Sequence, residues 1–159
     1  MPAKPDSPGS SETGSVHCLY LVIPADPVEV RNALVRMCDT LVLRSLPDDD
    51  RGTVEIVLAE VLNNIVEHAY CAERGEIEIT LRRAPEGLLC QVVDQGRRMP
   101  GDSLPEGHLP PMTDDNLPEG GFGWHLIRTL SQDLAYSRIE GRNCLTFRVG
   151  AALQPEQSG

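Results

Sequence analysis

Glu60, Asn64 and His68 stand four residues apart in the stretch VEIVLAEVLNNIVEHAY. On a helix such positions share one edge, each roughly one turn, or about 6 Å of rise, from the next. The stripe carries a carboxylate and an amide, and no Lys or Arg to pair with them. It borders an apolar arc, so its composition is that of a wall that coordinates something. The plainer reading is a helix with a half-buried polar edge, and the helix alone leaves both open. Two further places offer chemistry. Asp94 ends an apolar run and is followed by Gln95-Gly96; a carboxylate there either forms the turn or accepts a hydrogen bond from a ligand. Gly121-x-Gly123 opens a helical pattern. Glycines let a phosphate approach the backbone, and a helix N-terminus supplies free N–H groups and positive potential. The alternative there is a flexible hinge.

The elements that must position these groups follow from hydrophobic period. Val54, Val57, Leu58, Val61, Leu62, Ile65, Val66 and Ala69 recur at helical spacing and place a broad apolar face beside the Glu60 stripe, while Asn63 and Glu67 turn to water. Asp48 to Asp50 put negative charge where the dipole of that central helix favours it. Before it, VHCLYLVI reads as a strand ended by Pro24. Residues 25–46 then read as one helix, with Asp26 as N-cap and Pro27 at its first position. After it, EIEITLRR alternates as a half-buried strand, Ala84-Pro85-Glu86-Gly87 turns, and LLCQVVD returns. Residues 95–120 are rich in Pro, Gly and Asp, the signature of a lid or binding loop. WHLIRTLSQDL reads as a helix, and AYSRIE and CLTFRVG as two final strands joined by Gly141-Arg142-Asn143. The order predicts an α+β fold: a mixed, mostly antiparallel sheet with helices on one face.

Composition narrows the function. A chain of 159 residues fits one domain, with residues 1–15 expected disordered, 16–152 folded and 153–159 a flexible tail. A net charge of −10 argues against nucleic acid and anionic membranes as partners. No apolar run approaches the roughly 20 residues that span a bilayer, and the N-terminus lacks the apolar core of a signal peptide. Five cysteines, an odd number without a C-x-x-C pair, point to a reducing cytoplasm rather than a disulfide frame or zinc site. Lys4 is the only lysine, so a cationic contact in the folded part must come from Arg or His.

Taken together, EVLNNIVEHAY, DQG and GGFGWHLI resemble, in order and approximate spacing, the GHKL nucleotide-binding superfamily, and most of all its anti-sigma-factor serine-protein-kinase branch. The likeness covers residues 16–150, and E-x-x-x-N-x-x-x-H is its most specific part. It implies a two-layer α/β sandwich of the Bergerat type. It further implies that Asn64 coordinates a Mg²⁺ bridging the phosphates of ATP, and that Glu60 receives the proton of an attacking serine hydroxyl. Asp94 would accept from the adenine amino group, with Gly96 letting the ring approach. Gly121 and Gly123 would hold phosphates through backbone N–H groups, residues 97–120 would be the ATP lid, and His68 would close the helix. The branch implies a bacterial cytoplasmic protein, a homodimer through the first strand and helix, and partners of two kinds: a sigma factor and a STAS-type anti-anti-sigma protein. One departure matters. Where the family pattern D-x-G-x-G has its second glycine, this chain has Arg98, so Arg97 and Arg98 either contact phosphates or crowd the purine edge. The expected activity is phosphorylation of a serine on the STAS-type antagonist; the alternative is a regulatory module that keeps the fold, and binds ATP or partners without catalysis.

Overall fold

The computed structural model describes residues 18–70, 73–107 and 122–150. Its five strands are β1 (Cys18–Pro24), β2 (Glu76–Ala84), β3 (Gly87–Asp94), β4 (Gln132–Ile139) and β5 (Arg142–Val149), paired in the order β1-β2-β3-β5-β4. All four pairings are antiparallel, which sharpens the expected mixed, mostly antiparallel sheet into a fully antiparallel one among the described residues. The helices α1 (Pro27–Cys38), α2 (Leu41–Arg44), α3 (Asp48–Asn64) and α4 (Phe122–Leu130) complete the α+β sandwich.

Alternation along the strands explains the layering. Leu19, Leu21 and Ile23 of β1, Ile77, Ile79 and Leu81 of β2, Leu88, Cys90 and Val92 of β3, and Leu145, Phe147 and Val149 of β5 are all buried. They pack in one core with the arc of α3, where Val54, Val57, Leu58, Val61 and Leu62 are at most 1% exposed. Asn63 and Glu67 face water, as the helical period requires. The buried Cys90 thiol and the half-buried Cys38 thiol both have raised pKa values through desolvation, Cys38 to about 12, so they behave as small core groups.

Three element boundaries differ from those the pattern suggests, each for a local reason. Residues 25–46 form two helices, because the Thr40 hydroxyl accepts from Leu43 N–H at 3.5 Å, donates to the Met37 carbonyl at 2.6 Å, and so starts a new helix from an extended residue. The Asp26 cap on α1 is as expected, accepting from the N–H groups of Val28 and Glu29. The last helix stops at Leu130 rather than Leu134, since Ser131 bonds back to the Ile127 carbonyl and Asp133, at φ 55°, sits in an irregularity where β4 has already begun. The central helix is α-helical only to Asn64; Ile65–Tyr70 winds as a π turn.

Candidate functional site

The π turn splits the expected polar stripe. An i to i+5 winding carries more residues per turn than an α-helix, so positions beyond Ile65 rotate away from the α-helical edge. Glu60 and Asn64 stay together on α3, half-buried. His68 leaves them: its side chain is 73% exposed, with Nε2 3.7 Å from Glu67 Oε2. The Asn64 amide nitrogen donates to the Glu60 carbonyl at 2.8 Å, which fixes the amide and commits its nitrogen, so that Oδ1 is the atom left for a hard cation.

The start of α4 lies against this pair. A Cβ added to Gly123 would sit 2.7 Å from Glu60 Oε2 and 3.4 Å from Asn64 Nδ2. Any side chain there would occupy the space beside the carboxylate and the amide, so glycine keeps it clear. The start of the helix thus stands beside a carboxylate and a side-chain amide. Gly121 lies outside the described residues, as does the 108–120 part of the expected lid. The described part, 97–107, is anchored rather than loose. Leu104 packs on the core, Arg128 Nε donates to the Pro105 carbonyl at 2.7 Å, and His125 Nδ1 is 3.2 Å from the Gly107 carbonyl.

Asp94, 5% exposed, closes β3. Its Oδ1 accepts from Gly96 N–H and from Asn143 Nδ2, each at 2.8 Å. Burial raises its pKa, opposed by those two bonds and the nearby Arg138 charge. Gly96 is held against the π turn: a Cβ on it would lie 2.5 Å from the Ala69 carbonyl oxygen, to which Arg97 N–H donates at 2.7 Å. Tyr70 completes the junction, its hydroxyl accepting from Gln95 N–H at 2.9 Å and donating to the Glu76 carbonyl at 2.7 Å.

The two arginines after Gly96 do not close over Asp94. Both are exposed, and Arg98 Nη1 is 3.5 Å from Asp102 Oδ2, on the rim of a groove of ≈ 350 Å³ that Tyr136 and Arg138 also line. Residues that the motifs did not reveal hold the loop. Arg138 Nη1 donates to the Gly96 carbonyl at 2.9 Å, Asn143 Nδ2 to the Arg97 carbonyl at 2.7 Å, and Met99 N–H to the Tyr136 hydroxyl at 3.0 Å. The one available signal was the alternation that puts Tyr136 and Arg138 on the same side of their strand.

The buried Asp94 carboxylate predicts a pH dependence of stability. Its pKa is higher folded than unfolded, so its contribution is fully present below the unfolded value near 3.8 and is lost as pH rises through the folded one. Asp94→Asn keeps an Oδ1 acceptor and removes the buried charge. At pH 7 the variant is expected to be at least as stable as wild type in urea unfolding, with the difference shrinking toward pH 4. A variant less stable at pH 7 would mean that hydrogen bonds to the ionised carboxylate outweigh its desolvation.

Gly123 at the start of α4 thus lies beside Glu60 and Asn64 of α3, while a buried aspartate, Asp94, ends β3 of the one antiparallel sheet. The sequence model of the histidine kinase-like ATPase domain matches residues 23–149. Serine-protein kinase RsbW of Bacillus mycoides (strain KBAB4) is 32% identical over 114 residues, 70% of this chain and 71% of that protein. The proteins of the same name from Bacillus cereus (strain AH187) and Bacillus thuringiensis (strain Al Hakam) are 32% identical over 116 residues, with the same shares covered. The chain belongs to the histidine kinase-like ATPase domain family, in the GHKL branch of anti-sigma-factor serine-protein kinases.

Proposed function

We propose that this protein is an ATP-dependent serine-protein kinase of a partner-switching system, which holds a sigma factor or a STAS-type antagonist and phosphorylates a serine on the antagonist. The observation that supports the reading is that Gly123, at the start of α4, meets Glu60 and Asn64, the proposed base and the proposed cation ligand. ATP binds with its adenine amino group on Asp94 and its ring beside Gly96, and its phosphates lie at the start of α4, where Gly123 and, by the family resemblance, Gly121 would offer backbone N–H groups. The donor set suits Mg²⁺, which takes few protein oxygens and completes its shell with phosphates and water; Asn64 Oδ1 would be the protein ligand. Mg²⁺, when bound, neutralises phosphate charge. Glu60 then accepts one proton from the attacking serine hydroxyl. Arg97 and Arg98 are exposed at the loop, Arg98 beside Asp102, and would contact phosphate.

The relatives named serine-protein kinases support the activity. A homodimer through β1 and α1 is supported by the position of β1 at the sheet edge and by Tyr20, Val22, Val28 and Val35, which leave apolar surface exposed there. The proposed place of action is the cytoplasm, in keeping with four free cysteines among the described residues. The test is single-turnover transfer from labelled ATP to a STAS-type protein encoded beside this chain's gene. The expected product is phosphoserine on that protein. ATP binding with no transfer to any such partner would favour the second reading, a non-catalytic partner-switching module, which the Arg98 departure from the glycine motif also favours.

A further inference from the structure

Three polar side chains are buried among the described residues: Asp94, Ser131 and Asn143. Ser131 bonds within its own helix end. Asn143 is different, because it lies on a strand, directly across the β3–β5 pairing from Asp94, and spends its whole hydrogen-bonding capacity on the candidate site. An amide has two N–H donors and an oxygen with two lone pairs. The donors go to Asp94 Oδ1 at 2.8 Å and to the Arg97 carbonyl at 2.7 Å. The oxygen accepts from the Tyr136 hydroxyl at 2.6 Å and from Arg138 Nη1 at 2.8 Å. The opposite amide orientation would turn an oxygen toward a carboxylate and an NH₂ toward a guanidinium. Arg138 and Tyr136 therefore decide which end of Asn143 meets Asp94.

The consequence falls on the carboxylate. Both bonds to Asp94 land on Oδ1, which fixes its rotation and leaves Oδ2 without a partner among the described residues. We infer that Arg138 and Tyr136 are positioning residues that act through Asn143 to aim Asp94 Oδ2 at the 6-amino group of a purine, so that base selectivity is set from β4, the edge strand. The inference rests on the reading of Asp94 as the adenine acceptor. The same two side chains also grip the loop backbone at Gly96 and Met99, so a purely supporting role is the rival to be separated.

The separation comes from two nucleotides that differ only at the reporting group: ATP, and the triphosphate of purine riboside, which lacks the 6-amino group. Both are titrated against the full chain with Mg²⁺, for wild type, Arg138→Met and Tyr136→Phe. The methionine keeps an apolar stem of similar reach and removes the donors, and the phenylalanine removes one hydroxyl. Wild type is expected to prefer ATP, because a site built to receive an N–H donor discriminates against a ligand without one. Arg138→Met is expected to lose about tenfold of that preference, the weight of one charge-assisted hydrogen bond, with the loss falling on ATP. Tyr136→Phe is expected to move the preference the same way by less, and it carries the test alone if Arg138→Met does not fold. Equal weakening of both nucleotides, or an unchanged preference in a folded variant, overturns the inference and leaves loop support. A wild type that binds both nucleotides equally overturns the inference and the role of Asp94 while ATP binding stands. A wild type that binds neither overturns the proposed function with it.

Discussion

Glu60→Gln is expected to slow phosphoryl transfer by about 10²–10⁴, the weight of general-base catalysis, while ATP affinity stays close to that of wild type. Glutamine keeps the length and hydrogen-bonding reach of glutamate and cannot take up a proton at neutral pH. Among the three side chains of the original stripe, only Glu60 is both ionisable and in place. Asn64 has no proton-accepting function, and the π turn has carried His68 out to 73% exposure beside Glu67. Glu60 Oε2 also lies where a Cβ of residue 123 would touch it, at the start of the helix proposed to hold the phosphates. Asn64→Ala makes the contrasting case. It removes the proposed cation ligand and is expected to weaken Mg·ATP binding as well as transfer. Single-turnover assays at saturating ATP, with one antagonist protein for all variants, separate the two effects. Transfer by Glu60→Gln at the wild-type rate would remove Glu60 as the base.

Gly96→Ala carries the second large effect. The added methyl would lie 2.5 Å from the carbonyl oxygen of Ala69, 2.6 Å from its carbonyl carbon and 2.8 Å from its Cβ. Two of those three atoms are backbone, and Ala69 is a buried residue of the π turn, so no side chain can swing aside to relieve the contact. The loop must move instead. Moving it stretches the Arg97 N–H bond to Ala69 and the Gly96 N–H bond to Asp94, which are 2.7 and 2.8 Å long. Overpacking of this kind costs about 1–3 kcal/mol. The variant is expected to unfold at correspondingly lower urea concentration, and to lose at least about tenfold in ATP affinity through misplacement of the Asp94 loop. Wild-type stability together with wild-type affinity would show that the loop and the π turn are not locked together.

Strands with one buried face were readable because their period is two. Ile77, Ile79 and Leu81 announce both the strand and its inner side. The arc of α3 was equally plain. The site was readable as motifs but not as a constellation. Glu60 and Asn64 are four residues apart and declare their shared edge, whereas their contact with Gly123 exists only because α3 packs on α4, a relation that no local pattern encodes. The π turn was invisible for a related reason. Ile65, Val66 and Ala69 fit the α-helical period, so the sequence predicts an unbroken stripe ending in His68, and only the hydrogen-bonding of the last turn departs from it. Asn143 was hidden by its surroundings. It follows Gly141-Arg142 at a hairpin, where asparagine ordinarily serves the turn, and its partner Asp94 is 49 residues away. Arg138 looked like one polar residue of an alternating strand, with nothing to mark it as the anchor of a buried amide.

One site, built from α3, the start of α4 and the Asp94 loop, is expected to bind Mg·ATP. Isothermal titration of the folded full chain with ATP, with Mg²⁺ and again with the metal chelated, tests it most directly. Saturable binding at one site per chain is expected, weakened when Mg²⁺ is removed and weakened again by Asn64→Ala. Absence of any binding heat with millimolar ATP and Mg²⁺, from protein shown to be folded, would contradict it.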